Sequence, residues 1–187
     1  MIIAAVRNEQ EMEAAIASRV KLIFCLNPNI LTLNQTVRAV HAAGKKIFLH
    51  IDLAEGVGKD KAGLTYVKNA GVDGVISTRV NIIKFAKEVG LFTVQRFFIV
   101  DSHSVDTTVE SIKSSKADMI EIMPGIVTKV IADLKARLNV PIIAGGLIES
   151  RKEIEEAAIV DGCNVFEMFV KVVIPMVKPT LAVLAVF

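Results

Sequence analysis

Short apolar runs that end in a charged, hydroxylated or glycine residue recur along this chain, and its chemistry is concentrated at those ends. Ile2–Val6 is followed by Arg7. The run from Lys46 carries His50 and Asp52, and the run from Gly74 ends in Ser77, Thr78 and Arg79. Further on, the run from Phe92 holds Gln95 and Arg96 and gives way to Asp101, Ser102 and His103. Met119–Met123 carries Glu121, and Pro141–Ala144 leads into Gly145 and Gly146. Arg7, Arg79 and Arg96 with His50, Asp52, Asp101 and Glu121 at equivalent ends would make a charged pocket that a purely structural domain does not need. Guanidinium groups suit a phosphate dianion, through charge-assisted and often bidentate hydrogen bonds. Consecutive glycines let a backbone approach a ligand closely and leave N–H groups free for an anion. A small phosphorylated ligand is therefore expected, with Gly145 and Gly146 at its phosphate end. Each residue alone has a plainer reading. Arg96 would also be satisfied by Glu121 or Asp101, since buried charges need partners.

His50, Asp52 and Glu121 also form a set that could serve acid/base chemistry or bind a divalent cation. No compact motif such as H-E-x-x-H supports a metal, and none of these ends carries a Schiff-base lysine. No metal, cofactor or catalytic residue is expected.

The elements that must position these groups read as strand–helix alternation. Strands are predicted at Ile2–Val6, Lys21–Leu26, Lys46–Asp52, Gly74–Arg79, Phe92–Val100, Met119–Met123, Pro141–Ala144 and Cys163–Met168. Within the third, alternation puts His50 and Asp52 on one face with Phe48. Helical spacing is read over Glu9–Ser18, Leu31–Ala43, Asp60–Asn69, Val80–Val89, Ser104–Ser114, Thr128–Leu138 and Ser150–Ile159. Ser104 is expected to cap the fifth helix, and Ser150 with Glu153 has capping-box spacing. Alternation with short connections means βαβ units and a parallel sheet. Eight units predict an α/β fold closed as a compact (β/α)8 TIM-type barrel, with strand C-terminal ends around one site. The open doubly wound alternative lacks its G-x-G-x-x-G turn.

The 187 residues form one domain, 1–187, without linker or low-complexity segment. Hydrophobic residues make up 52% and aromatics 5%, as befits strands buried on both faces, which argues against disorder. A net charge of +2 lacks the basic bias of a protein that holds nucleic acid by bulk electrostatics. Cys25 and Cys163, each in an apolar run, read as free buried thiols. No secretory signal is read at the start, so a cytoplasmic location is expected. The segment 163–187 is unusually apolar, but Pro175, Pro179, Lys171 and Lys178 break it below the length of a membrane span. Such a tail would cover the barrel floor or meet a partner chain, as in a homo-oligomer.

Five strings occur in an order that resembles a known family: His50-Ile51-Asp52-Leu53 with Gly56, Asp73 to Arg79, Gln95 to Ser102, Glu121 to Ile126, and Ile142 to Ile148. Over residues 2–162 the chain resembles the glycerol uptake operon antiterminator regulatory proteins of bacteria. The resemblance implies a regulator, not an enzyme, that responds to glycerol 3-phosphate and acts on leader mRNA of glycerol-utilisation genes, as an RNA-binding transcription antiterminator. It implies a ligand pocket lined by Arg7, His50, Asp52, Arg79, Arg96, Asp101 and Glu121, with Gly145 and Gly146 at its phosphate end. The alternative is a barrel enzyme acting on a small phosphorylated substrate, an isomerase or a metal-dependent phosphodiesterase. One departure is that Gly162 is followed by Cys163-Asn164-Val165-Phe166, with no hydroxyl residue before Thr180, where phosphate-binding barrels carry a small hydroxyl-rich turn.

Overall fold

The computed structural model describes residues 2–147 and, as backbone, 183–186. Eight strands form a closed barrel in sequence order. They are β1 (Ile2–Val6), β2 (Leu22–Cys25), β3 (Lys46–His50), β4 (Gly74–Ser77), β5 (Phe92–Phe98), β6 (Met119–Met123), β7 (Ile142–Ala144) and β8 (Val183–Val186). Among the described residues the α-helices are α1 (Glu9–Ala17), α2 (Leu33–Ala42), α3 (Lys61–Asn69), α4 (Val80–Glu88), α5 (Ser102–Ser115) and α6 (Thr128–Arg137). Strands β1 to β7 pair in parallel, each with the next. The α/β barrel is thus the one the spacing predicts. It differs at its closure, where β8 runs antiparallel to both β1 and β7. The predicted strand Cys163–Met168 and the Ser150 capping box lie outside the described residues. No helix among the described residues is long and apolar enough to cross a membrane.

Period-two alternation divides the apolar residues into two sets. Ile3, Leu22, Phe24, Phe48, Ile76, Val94, Met119 and Ile143 pack against one another inside the barrel. Residues of the opposite parity, such as Ile23, Leu49, Val75 and Ile122, pack under the helices. Inside, the Phe24 and Phe48 rings stack at 5.8 Å and Phe48 meets Phe92 at 5.4 Å. Gly74 makes room for this trio, because a Cβ there would come within 2.8 Å of the Phe48 ring and 2.7 Å of the Phe92 carbonyl. Each such buried side chain is worth about 1.5–3 kcal/mol, so the interior plug holds the staves together.

The floor, at the strand N-terminal ends, is tied by two matching clips. Asp73, just before β4, accepts hydrogen bonds from the Ile47 N–H of β3 and from His41 of α2, at 3.0 and 2.9 Å. Asp118, just before β6, accepts from the Thr93 N–H of β5 at 2.9 Å, from the Thr93 hydroxyl, and from Lys87 of α4. Burial works against the charge on Asp118, but Lys87 and Thr93 outweigh it and hold its carboxyl below the usual range. Lys45 closes another part of the floor, donating to the carbonyls of Ser18 and Val20 at 2.7 and 2.6 Å.

Candidate functional site

The strand C-terminal ends form the mouth of the barrel, and three sequence-predicted groups meet inside it. Arg96 and Glu121 face each other across β5 and β6 in direct register. They share the parity of Val94 and Met119, which places both in the interior. The Arg96 Nε donates to Glu121 Oε2 at 2.7 Å, with side-chain exposures of 9% and 1%. Burial pushes the Glu121 carboxyl upward, and the guanidinium beside it opposes that shift. Of the two partners open to Arg96 on sequence grounds, Glu121 is the one it takes.

His50 ends β3 two residues beyond Phe48, opposite Ile76 of β4, and so also faces inward. It is 6% exposed, and neither ring nitrogen has a hydrogen-bond partner among the described residues. Burial, with the positive charge of Arg96 adding to it, lowers the imidazole to about 4, against a smaller upward pull from Asp52. At neutral pH the ring is uncharged.

Asp52 does not share the His50 face, because β3 ends at His50 and residues Ile51–Leu53 form a single 3-10 turn. That turn swings the carboxylate sideways onto the end of β4. There it accepts from the Ser77 hydroxyl at 2.8 Å, the Thr78 N–H at 2.7 Å and the Thr78 hydroxyl at 3.0 Å. Arg79 Nε and Nη2 add bonds at 3.1 and 2.9 Å. Burial would raise the Asp52 carboxyl, but these donors together lower it below its ordinary value. Asp52 and Arg79 thus clamp two loops to one another. Lys59, which the sequence reading missed, joins them from the following loop. Its ammonium donates to the carbonyls of Ala54 and Val57, and burial with the nearby Arg79 lowers its pKa. A lysine nine residues past a strand end gives no periodic signal that would single it out.

The remaining predicted residues stand apart. Arg7 is exposed, and its backbone N–H donates to Glu11 at 2.7 Å. It borders a cleft of about 320 Å³ outside the barrel, between α1 and α2, whose floor includes Met12, Ile16, Cys25 and Leu49. Burial pushes the Cys25 thiol up to about 11. Asp101 caps α5, accepting from the Ser104 N–H and hydroxyl at 2.9 and 2.8 Å, and these bonds lower its pKa at an exposed site. The cap is therefore Asp101 rather than Ser104. Gly145 is buried, but its N–H donates to the Ile122 carbonyl at 3.0 Å, so it is not free for an anion as the sequence suggested. Gly146, at φ +72°, accepts from the Gly125 N–H at 3.0 Å through its carbonyl, and a Cβ there would lie 2.7 Å from Met123.

The ring of charges read from the sequence therefore resolves into an inner group (His50, Arg96, Glu121), a loop clamp (Asp52, Arg79) and outlying residues. No group of three His, Cys, Asp or Glu side chains that could hold a metal occurs among the described residues. Around the mouth stands a feature that the sequence reading passed over. Leu31, Leu53, Phe98, Val100, Ile126 and Leu147, from five different strand-to-helix connections or strand ends, are each 47–88% exposed.

A family model described as "Glycerol-3-phosphate responsive antiterminator" matches residues 2–165. Among curated proteins, the chain is 35% identical over 157 residues to the uncharacterized protein YgcP of Escherichia coli (strain K12), covering 83% of this chain and 82% of that one. Among solved structures, it is similar to the glycerol uptake operon antiterminator regulatory protein of Listeria monocytogenes str. 4b F2365, with TM-score 0.80 and 31% identity over 84% of this chain and 86% of that one. It is also similar to a glycerol uptake operon antiterminator-related protein of Thermotoga maritima MSB8, with TM-score 0.74 and 29% identity over 84% and 87% of the two chains.

Proposed function

Since this chain belongs to the glycerol-3-phosphate responsive antiterminator family, we propose that it binds glycerol 3-phosphate in the barrel mouth and, in the cytoplasm, acts on leader mRNA to prevent termination. The observation that carries the ligand half of this reading is Arg96, a buried guanidinium held by Glu121 beside an unpartnered imidazole. Burying a cation this way is costly unless its environment uses it, and a phosphate dianion is the partner its remaining N–H groups suit. In this reading the phosphate lies toward Arg96, and the carbon chain lies toward His50 at the end of β3. The protein is read as a binder without turnover, because the carboxylates that could act as acid or base are held in ion pairs with Arg79 and Arg96.

Thermal denaturation tests this. Glycerol 3-phosphate at a hundred times its Kd should stabilise the fold by about 2.7 kcal/mol, a rise in Tm of roughly 5–10 °C, without a requirement for Mg²⁺. No shift, together with turnover of another phosphate ester, would sink the proposal. The RNA half predicts salt-dependent retention of leader RNA on a filter, strengthened by the ligand. Retention that ignores both salt and ligand would count against it.

A further inference from the structure

Three polar side chains converge on the inner mouth, and two are already committed. Glu121 Oε2 and Arg96 Nε hold each other, and Asp52 holds Ser77, Thr78 and Arg79. Lys59 at the rim is spent on two backbone carbonyls. His50 is the exception: more than nine-tenths buried, facing the interior, with Nδ1 and Nε2 both unpartnered among the described residues. A buried polar atom without a partner is rare and points to a group that is supplied from outside the protein.

The chemistry of the imidazole narrows what that group is. A neutral ring offers one N–H donor and one lone-pair acceptor. A hydroxyl donates and accepts, and so can satisfy either nitrogen. A phosphate dianion only accepts, and so can take the N–H but leaves the lone-pair nitrogen without a donor. Burial and the charge of Arg96 keep the ring neutral, and Arg96 supplies the buried cation beside it. We propose that His50 is the specificity-determining residue for the diol end of the ligand, its two ring nitrogens reading the hydroxyls of a polyol phosphate while Arg96 holds the phosphate. This deepens the functional reading above and rests on it.

The test compares sn-glycerol 3-phosphate with propyl phosphate, which has the same chain length and charge but no hydroxyls, by titration calorimetry at pH 7.5. The wild-type protein should prefer glycerol 3-phosphate by about tenfold or more, the order of one or two net hydrogen bonds. His50→Leu should erase that preference while leaving propyl phosphate affinity within about threefold, and His50→Asn, which keeps a donor and an acceptor, should restore part of it. A preference that survives in His50→Leu overturns the assignment. So does an equal loss for both ligands, which would make His50 a phosphate partner. Wild-type protein that binds neither ligand refutes the functional reading instead. Should His50→Leu fail to fold, the wild-type protein decides alone. Heats measured in buffers of different ionisation enthalpy should show no proton uptake, whereas uptake approaching one proton would reveal an imidazolium on the phosphate and overturn the proposal.

Discussion

Replacing Asp52 by Ala should cost the fold about 2–4 kcal/mol, most of it through Ser77 and Thr78 rather than through Arg79. The figure follows from what each donor loses. Ser77 is fully buried, and its hydroxyl accepts the Arg79 N–H at 3.0 Å while donating to Asp52, so without Asp52 its buried proton loses its acceptor. The Thr78 N–H, 2.7 Å from Asp52 Oδ2, loses a charge-assisted bond, although water at this exposed residue restores part of it. Such bonds are worth about 1.5–3 kcal/mol each before solvent is allowed for. The Arg79 side chain is 45% exposed, which limits its ion pair to about 1 kcal/mol or less. In urea, with a slope near 2 kcal/mol per molar, Asp52→Ala should lower the midpoint by about 1–2 M and Arg79→Met by no more than about 0.5 M. The acid limb gives a second check. A carboxyl held below its ordinary value contributes stability that is complete above the unfolded pKa and is lost as pH falls through the folded one. The gap between wild type and Asp52→Ala should therefore close below about pH 4. If Arg79→Met proves as damaging as Asp52→Ala, or if Asp52→Ala costs under about 0.5 kcal/mol, the account of a hydroxyl-and-backbone clamp is wrong.

Three further outcomes are expected. His50 is neutral when folded, with a pKa of about 4 against 6.5 for a free imidazole, so stability should be lost as pH falls from 6.5 toward 4. The loss is about 3 kcal/mol by pH 4, and urea midpoints in His50→Leu should lack that part of the acid limb. The Cys25 thiol, raised from 9.0 to about 11, should react with iodoacetamide at neutral pH about a hundredfold more slowly than a free cysteine. Equal rates would show that the thiol is not desolvated. Gly63→Ala would place a Cβ 2.0 Å from the Gly58 carbonyl oxygen, so it should destabilise by about 2–3 kcal/mol and lower Tm by roughly 5–10 °C, as read by circular dichroism.

The staves were legible because β-branched runs separated by helical spacing leave few alternatives, and seven of the predicted strands appear within a few residues of their expected ends. What the sequence could not reveal were the turns of direction. Nothing in Phe48-Leu49-His50-Ile51-Asp52 announces that the strand stops at His50, because buried Ile51 reads equally well as another strand position. That two-residue difference separates Asp52 from His50 and turns a presumed pair into a clamp and a free imidazole. The Arg96–Glu121 pair needed the β5–β6 register, which spacing within either strand does not contain. Asp101 and Ser104 are both capable caps, and only the backbone decides which one accepts the N–H. The direction of β8 was hidden for a different reason. Val183-Leu184-Ala185-Val186 is apolar at every position, so it carries neither face nor polarity.

The floor clips have a historical implication. His41, Ile47 and Asp73 do for one pair of staves what Lys87, Thr93 and Asp118 do for the next, and the three corresponding positions are offset by nearly the same stretch of chain. A carboxylate that fastens the preceding strand while gripping a nitrogen side chain from the helix before it is an arrangement easily copied as a unit. A barrel enlarged by duplicating such two-stave segments would inherit its base ready-made, and mutation could then act on the opposite end without endangering closure. The contrast between a repetitive base and an irregular, individually furnished mouth is what that ancestry would leave behind.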